Sequence, residues 1–200
     1  MKFSSIIFLF ILLGAYACVN KQKISLRNSS KNIKSIQSEK LVFEDETSFQ
    51  IPIENLDKVF YLTRHAEKDT TIATDPRLTE AGYARASKLA DILMGTRIDA
   101  IYSTLYMRTM LTVDSVADVK MMSILPYENS KLRETIDDIS DSDKYNRILM
   151  VGHSNTIPSI TNSIAKKEIY KANFDESDYS NFIIVTIYKD GTRDTYTLKY

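Results

Sequence analysis

Val59-Phe60-Tyr61-Leu62-Thr63-Arg64-His65-Ala66-Glu67-Lys68 decides how this chain is read. Its apolar, β-branched and aromatic start is that of a buried strand. It breaks off at an arginine, a histidine and a glutamate. The whole sequence holds only two histidines, His65 and His153. His153 closes a second run of the same kind, Arg147-Ile148-Leu149-Met150-Val151-Gly152-His153, followed by Ser154 and Asn155. Two buried-strand patterns therefore each deliver a histidine at the carboxyl end.

Working outward from these runs, strands alternate with helices. Leu78-Thr79-Glu80-Ala81-Gly82 opens a helix to about Met94, with Thr79 as N-cap and Gly95 at its end. Ile98–Tyr102 reads as a strand, and a helix capped by Ser103 or Thr104 runs to about Asp118. Met121–Leu125 is a short strand stopped by Pro126, and 130–140 a helix. After Arg147–Val151 comes a helix over 155–166, with Pro158 in its first turn. Glu168–Ser180 is polar and irregular. Phe182–Tyr188 and Thr195–Lys199 flank the turn signal Lys189-Asp190-Gly191-Thr192. The pattern implies a three-layer α/β/α sandwich with a mostly parallel sheet and an antiparallel C-terminal hairpin. In such sheets sites form beyond the carboxyl ends of the strands. Arg64-His65, Ser103-Thr104 and Gly152-His153 are expected to face one crevice.

The 200 residues allow one domain with a tail. Lys plus Arg and Asp plus Glu balance at 26 each, which argues against a nucleic-acid partner. At the amino end, Lys2 precedes the apolar run Ile6–Leu13 and the small residues Gly14-Ala15-Tyr16-Ala17. Residues 1–17 read as a signal peptide, too short for a comfortable membrane span. The only cysteine, Cys18, follows directly. Its place resembles a bacterial lipoprotein signal, although Ala15 stands where leucine is usual; an ordinary secretory signal is the alternative. Either implies export: a lipoprotein of the cell envelope, facing the periplasm or cell surface and held to the membrane by its lipid, or a secreted protein. Residues 18–55 are rich in Lys, Ser, Asn and Gln and read as a flexible tether. Leu41-Val42-Phe43 and Phe49-Gln50-Ile51 are its only stretches suited to docking. The folded domain is expected over 56–200.

The crevice would gather Arg64, His65, Arg108 and His153, beside a helix N-terminus bearing Ser154 and Asn155. Guanidinium groups match phosphate oxygens bidentately, and a helix N-terminus adds donors. The natural ligand is a phosphoryl group.

Arg64-His65-Ala66-Glu67, Leu78-Thr79-Glu80-Ala81-Gly82, Tyr102-Ser103-Thr104 with Arg108-Thr109, and Gly152-His153-Ser154 occur in an order that resembles the histidine phosphatase (phosphoglycerate mutase-like) superfamily. Over about Leu56 to the C-terminus the chain is similar to its small phosphatase branch. The resemblance implies a phosphoric monoester hydrolase of histidine acid phosphatase type, with His65 as nucleophile forming a phosphohistidine. Arg64 and Arg108 would hold the phosphoryl oxygens, and His153 would donate to them. It implies neither metal nor cofactor, and a phosphorylated small molecule or phosphoprotein as partner. Glu134, in Leu132-Arg133-Glu134, resembles the general acid; Glu128 is a second candidate, and a phosphohistidine substrate could dispense with both. Glu67 and Lys68 are either at the pocket rim or a solvated ion pair, and Arg77 is a loop charge or a further phosphate contact. Two other readings stay open. One is a non-catalytic lipoprotein that binds phosphorylated ligands. The other is zinc held by the histidines and Glu67, which the charge of Arg64 disfavours.

Overall fold

The computed structural model describes residues 31–200. Its central sheet has six strands in the order β6-β5-β7-β4-β8-β9. These are β4 (Leu56–Arg64), β5 (Ala100–Ser103), β6 (Ile124–Pro126), β7 (Arg147–Gly152), β8 (Asn181–Tyr188) and β9 (Arg193–Lys199). β6, β5, β7 and β4 run parallel; β8 and β9 form the antiparallel hairpin, with β8 against β4. The helices are α1 (Glu80–Leu93), α2 (Met107–Lys120), α3 (Leu132–Asp141) and α4 (Thr156–Ala165).

Both faces of the sheet are covered, which is why its strands are continuously apolar rather than alternating. Val59, Tyr61, Leu149 and Val151 join Leu89, Leu93, Val113 and Val116 of α1 and α2 in one core. Phe60, Leu62, Ile148 and Met150 point the other way, against Ile136 and Ile139 of α3 and Ile157, Ile160 and Ile164 of α4. α1 starts on the expected cap, with Gly82 N–H donating to Thr79 Oγ1. Two element boundaries need correction. α2 begins at Met107, because Thr104–Tyr106 turn before the helix, and Tyr106 holds the N-cap position without a side-chain bond. The third parallel strand begins at Ile124, since Met121 closes α2 in the left-handed region (φ 52).

The larger correction concerns the tether expected over 18–55. Within it, β1 (Ile33–Gln37), β2 (Lys40–Phe43) and β3 (Ser48–Gln50) form an antiparallel sheet of their own. Ile33, Ile36, Leu41, Phe43, Phe49 and Ile51 are buried in the same core as α1 and α2. Each such side chain contributes roughly 1.5–3 kcal/mol on burial, which offsets the ordering of a polar-looking segment. Arg147 Nε donates to Glu39 Oε1 at 2.6 Å, tying this small sheet to β7. Lys199 N–H donates to the Lys31 carbonyl at 2.9 Å, tying it to β9. The expected signal segment, residues 1–17, and Cys18 lie outside the described residues.

Candidate active site

Register brings the two histidines together. β4 and β7 are parallel neighbours with Arg64 opposite Gly152, and His65 N–H donates to the Gly152 carbonyl at 2.9 Å. The next residue on each strand is the histidine, and the imidazole centroids stand 5.5 Å apart. Gly152 is required by close approach: a Cβ there would lie 2.6 Å from Thr156 Oγ1 and 2.7 Å from the Tyr127 hydroxyl. The segment after His65 is fixed from α2, whose Thr112 Oγ1 accepts the Ala66 N–H at 2.9 Å.

His65 is buried, with Nδ1 2.8 Å from the Ala66 carbonyl. A carbonyl only accepts, so Nδ1 carries the proton and Nε2 keeps its lone pair. Burial, then the charges of Arg64, His153 and Arg108, push the imidazole down to about 3. His153 is pushed down to about 4 by burial and by Arg108, Arg64 and Lys68. Both rings are therefore neutral through the physiological range.

A hydroxyl relay orients His153. Its Nε2 lies 3.1 Å from Thr104 Oγ1, which lies 2.8 Å from Thr109 Oγ1. Thr109 Oγ1 donates to the Thr104 and Tyr106 carbonyls at 2.9 and 2.8 Å. Ending on carbonyls fixes the direction: Nε2–H donates to Thr104, which donates to Thr109. The other nitrogen, Nδ1, is left to accept from Arg108 Nη2 at 3.5 Å.

The two arginines are held differently. Arg64 is fully buried. Its Nη1 donates to the carbonyls of Asp175, Glu176 and Asp178 at 2.9, 3.0 and 3.2 Å. Its Nη2 donates to Glu176 Oε2 at 2.6 Å, and Tyr179 packs 4.2 Å from the guanidinium carbon. Arg108 lies 4.4 Å over the Tyr106 ring, with Nη1 3.9 Å from Asp75 Oδ1. The Nε of each arginine is buried without a partner. Orphaned buried donors on two cations are costly unless an anion meets them, and a phosphoryl group supplies the oxygens.

Arg64, His65, Arg108, His153 and Ser154 thus converge. Asn155 is exposed at the start of α4 and makes no cap bond. Of the two readings of Glu67, a pocket-rim group or a solvated ion pair, the structure shows an ion pair, partly buried and made with Arg85 rather than Lys68. Both its oxygens accept from Arg85 Nε at 2.9 Å, and its carbonyl receives Thr79 N–H. It fastens the loop after His65 to α1. Glu134 is exposed on α3, in a shallow cleft with Ser130, Lys131, Arg133, Asp137 and Asp138, none of them in the cluster. Glu128 instead lines a cleft of about 480 Å³ together with Thr104, Tyr106, Tyr127 and Asp75. Arg77 is exposed in the loop before α1. Among the described residues no three His, Cys, Asp or Glu side chains are grouped to hold a metal ion.

Sequence reasoning missed Asp75 and Glu176. Asp75 accepts the first N–H of α2, from Met107, at 2.9 Å. Both sit in polar stretches whose partners lie far along the chain. Thr109 was visible beside Arg108, but its place in the relay was not.

The geometry is that of two buried, neutral imidazoles beside two guanidinium groups, a cluster whose donors match a phosphoryl group. Residues 60–134 match the histidine phosphatase superfamily (branch 1). Solved structures share the fold. The protein histidine phosphatase SixA complexed with tungstate has a TM-score of 0.57 at 14% identity, covering 70% of this chain and 96% of that one. The alpha-ribazole phosphatase from Shigella flexneri gives 0.59 at 13%, covering 71% and 96%. The putative phosphohistidine phosphatase SixA from Agrobacterium tumefaciens gives 0.52 at 20%, covering 66% and 92%. No curated protein matches the chain. The sequence match spans residues 60–134 of the 200, and the solved structures show that the fold is shared.

Proposed function

We propose that this protein is a metal-independent phosphatase that hydrolyses a phosphomonoester or a phosphohistidine through a phosphohistidine on His65. The observation that carries this reading is the buried, neutral His65. Its tautomer is set by the Ala66 carbonyl, and it stands among two guanidinium groups with unpartnered Nε donors. The Nε2 lone pair forms the N–P bond as the bond from phosphorus to the leaving group breaks, P–O in an ester and P–N in a phosphohistidine. Arg64 and Arg108 donate to the equatorial oxygens, and His153 Nδ1 takes up a proton from solvent as the anionic phosphoryl group binds and then donates it in a hydrogen bond to the remaining oxygen. Positioning and charge stabilisation supply the catalysis. Glu128 lines the cleft beside Thr104, Tyr106 and Asp75 and, when protonated, passes its proton to the leaving oxygen of an ester. Water then cleaves the N–P bond and returns His65 free.

The relatives' names span protein phosphohistidine and small phosphoesters, and the substrate class is proposed at that breadth. Residues 1–17 are proposed as an export signal, with Cys18 lipidated and the domain held at the cell envelope. Fatty-acid labelling that is lost in Cys18→Ser tests the anchor.

Turnover of p-nitrophenyl phosphate, insensitive to chelator, with acid-labile phosphate trapped on His65, tests the activity. His65→Ala is expected to abolish both while leaving the fold intact. Wild-type rates in that variant refute the reading, and oxyanion binding without turnover in the wild type favours a phospho-ligand-binding protein.

A further inference from the structure

The carboxylate of Glu176 stands on the donors a phosphoryl group needs. Oε2 accepts from Arg64 Nη2 at 2.6 Å, and Oε1 accepts from the Ser154 hydroxyl. Ser154 adjoins His153 and is itself buried. Bidentate grip on an oxyanion uses the Nε and Nη2 edge of a guanidinium. On Arg64 the Nε is without partner and Nη2 is the atom Glu176 takes.

The pairing is not needed to seat Arg64. Three backbone carbonyls already hold Nη1, and the Tyr179 ring lies against the guanidinium. Nor is the carboxylate sealed in: its side chain is 72% exposed, against 0% for Arg64. It can therefore swing to water while the arginine stays. The Ser154 bond and the charges of Arg64 and Lys68 hold its pKa below the usual carboxylate range, so it is an anion and a poor proton donor.

We infer that Glu176 is a specificity-determining residue, an internal carboxylate that an incoming phosphoryl group must displace from Arg64 and Ser154. This rests on the phosphatase reading above. Free phosphate, with no leaving group to add contacts in the cleft, meets this competition with the least compensation. The residue thus weakens product retention and selects substrates that bind through more than their phosphoryl oxygens.

The test compares wild type with Glu176→Gln and Glu176→Ala, titrated with inorganic phosphate and with vanadate by calorimetry, and assayed on p-nitrophenyl phosphate. Both variants are expected to bind the two oxyanions at least about tenfold more tightly, with KM lowered in parallel. Glu176→Gln guards against a loop disturbed by truncation, because it keeps the length and an acceptor. Unchanged or weaker oxyanion affinity in both variants, with the wild type still binding, overturns this inference alone and makes Glu176 a brace for Arg64. Absence of oxyanion binding from all three proteins overturns the phosphatase reading together with it.

Discussion

Acid should destabilise this fold through its two imidazoles before the carboxylates respond. The perturbation is a shift from pH 6.5 to pH 5. In the folded protein His65 titrates at about 3 and His153 at about 4, so both stay neutral across that interval. In the unfolded chain each returns to about 6.5 and takes up a proton. The unfolded state then binds more protons, so stability rises with pH in this window and falls as the pH is lowered. Two protons at about 1.36 kcal/mol each per pH unit give about 4 kcal/mol over the interval. The half-protonation of unfolded histidine at pH 6.5 trims this to about 3 kcal/mol. Carboxylates in the unfolded chain titrate near 4, so they add little above pH 5. The chain has no other histidine to confuse the result. Urea unfolding at the two pH values, with the m-value held constant, measures the loss. The double variant His65→Asn/His153→Asn should show almost none of it. Equal stability of the wild type at both values, or the same loss in the double variant, refutes the assignment of two buried neutral rings.

Thr104→Val removes the acceptor of His153 Nε2–H and should lower kcat/KM about 10- to 100-fold, the effect of roughly 1–3 kcal/mol; Thr104→Ser should restore it in the same steady-state assay. Ile36→Ala, in the small sheet, should cost about 2–5 kcal/mol in urea unfolding, since the side chain is fully buried; a loss near zero would return that segment to a tether. Gly152→Ala drives a Cβ into Thr156 and Tyr127. It should cost about 1–3 kcal/mol and lower turnover, because His153 is displaced with its strand; thermal unfolding and the phosphatase assay read the two effects separately.

Much of the central sheet was legible because β4, β7 and β8 are buried on both faces and so are written as long apolar runs. The small sheet was harder to read. Leu41/Phe43 and Phe49/Ile51 do alternate, but they sit among lysines, serines and asparagines whose composition suggests an unfolded chain. What covers those apolar residues is α1 and β9, and no local pattern announces a partner so distant. The same limit hid Glu176, which meets Arg64 across 112 residues. Glu67 shows a different failure. Adjacency to His65 suggested the pocket, yet its carboxylate belongs to Arg85, 18 residues on. Glu134 matched a motif by sequence, but the first turn of α3 carries it to solvent, while the less conspicuous Glu128 lies on a cleft beside Thr104 and Tyr106.

The grip on Arg64 separates two kinds of tolerance in the acidic stretch Asp175-Glu176-Ser177-Asp178. Its carbonyls, not the carboxylates of Asp175 and Asp178, close around Nη1. Those two carboxylates act on the loop itself: Asp175 accepts the Ser177 N–H at 2.8 Å, and Asp178 accepts the Ser180 N–H at 3.0 Å and pairs with Lys199 at 2.6 Å. Asparagine, which keeps an acceptor there, is therefore the exchange the cradle tolerates. Inserting or deleting a single residue there shifts the peptide oxygens out of phase with the guanidinium. Homologous loops of other lengths should therefore not be interchangeable with this one, however well their composition agrees.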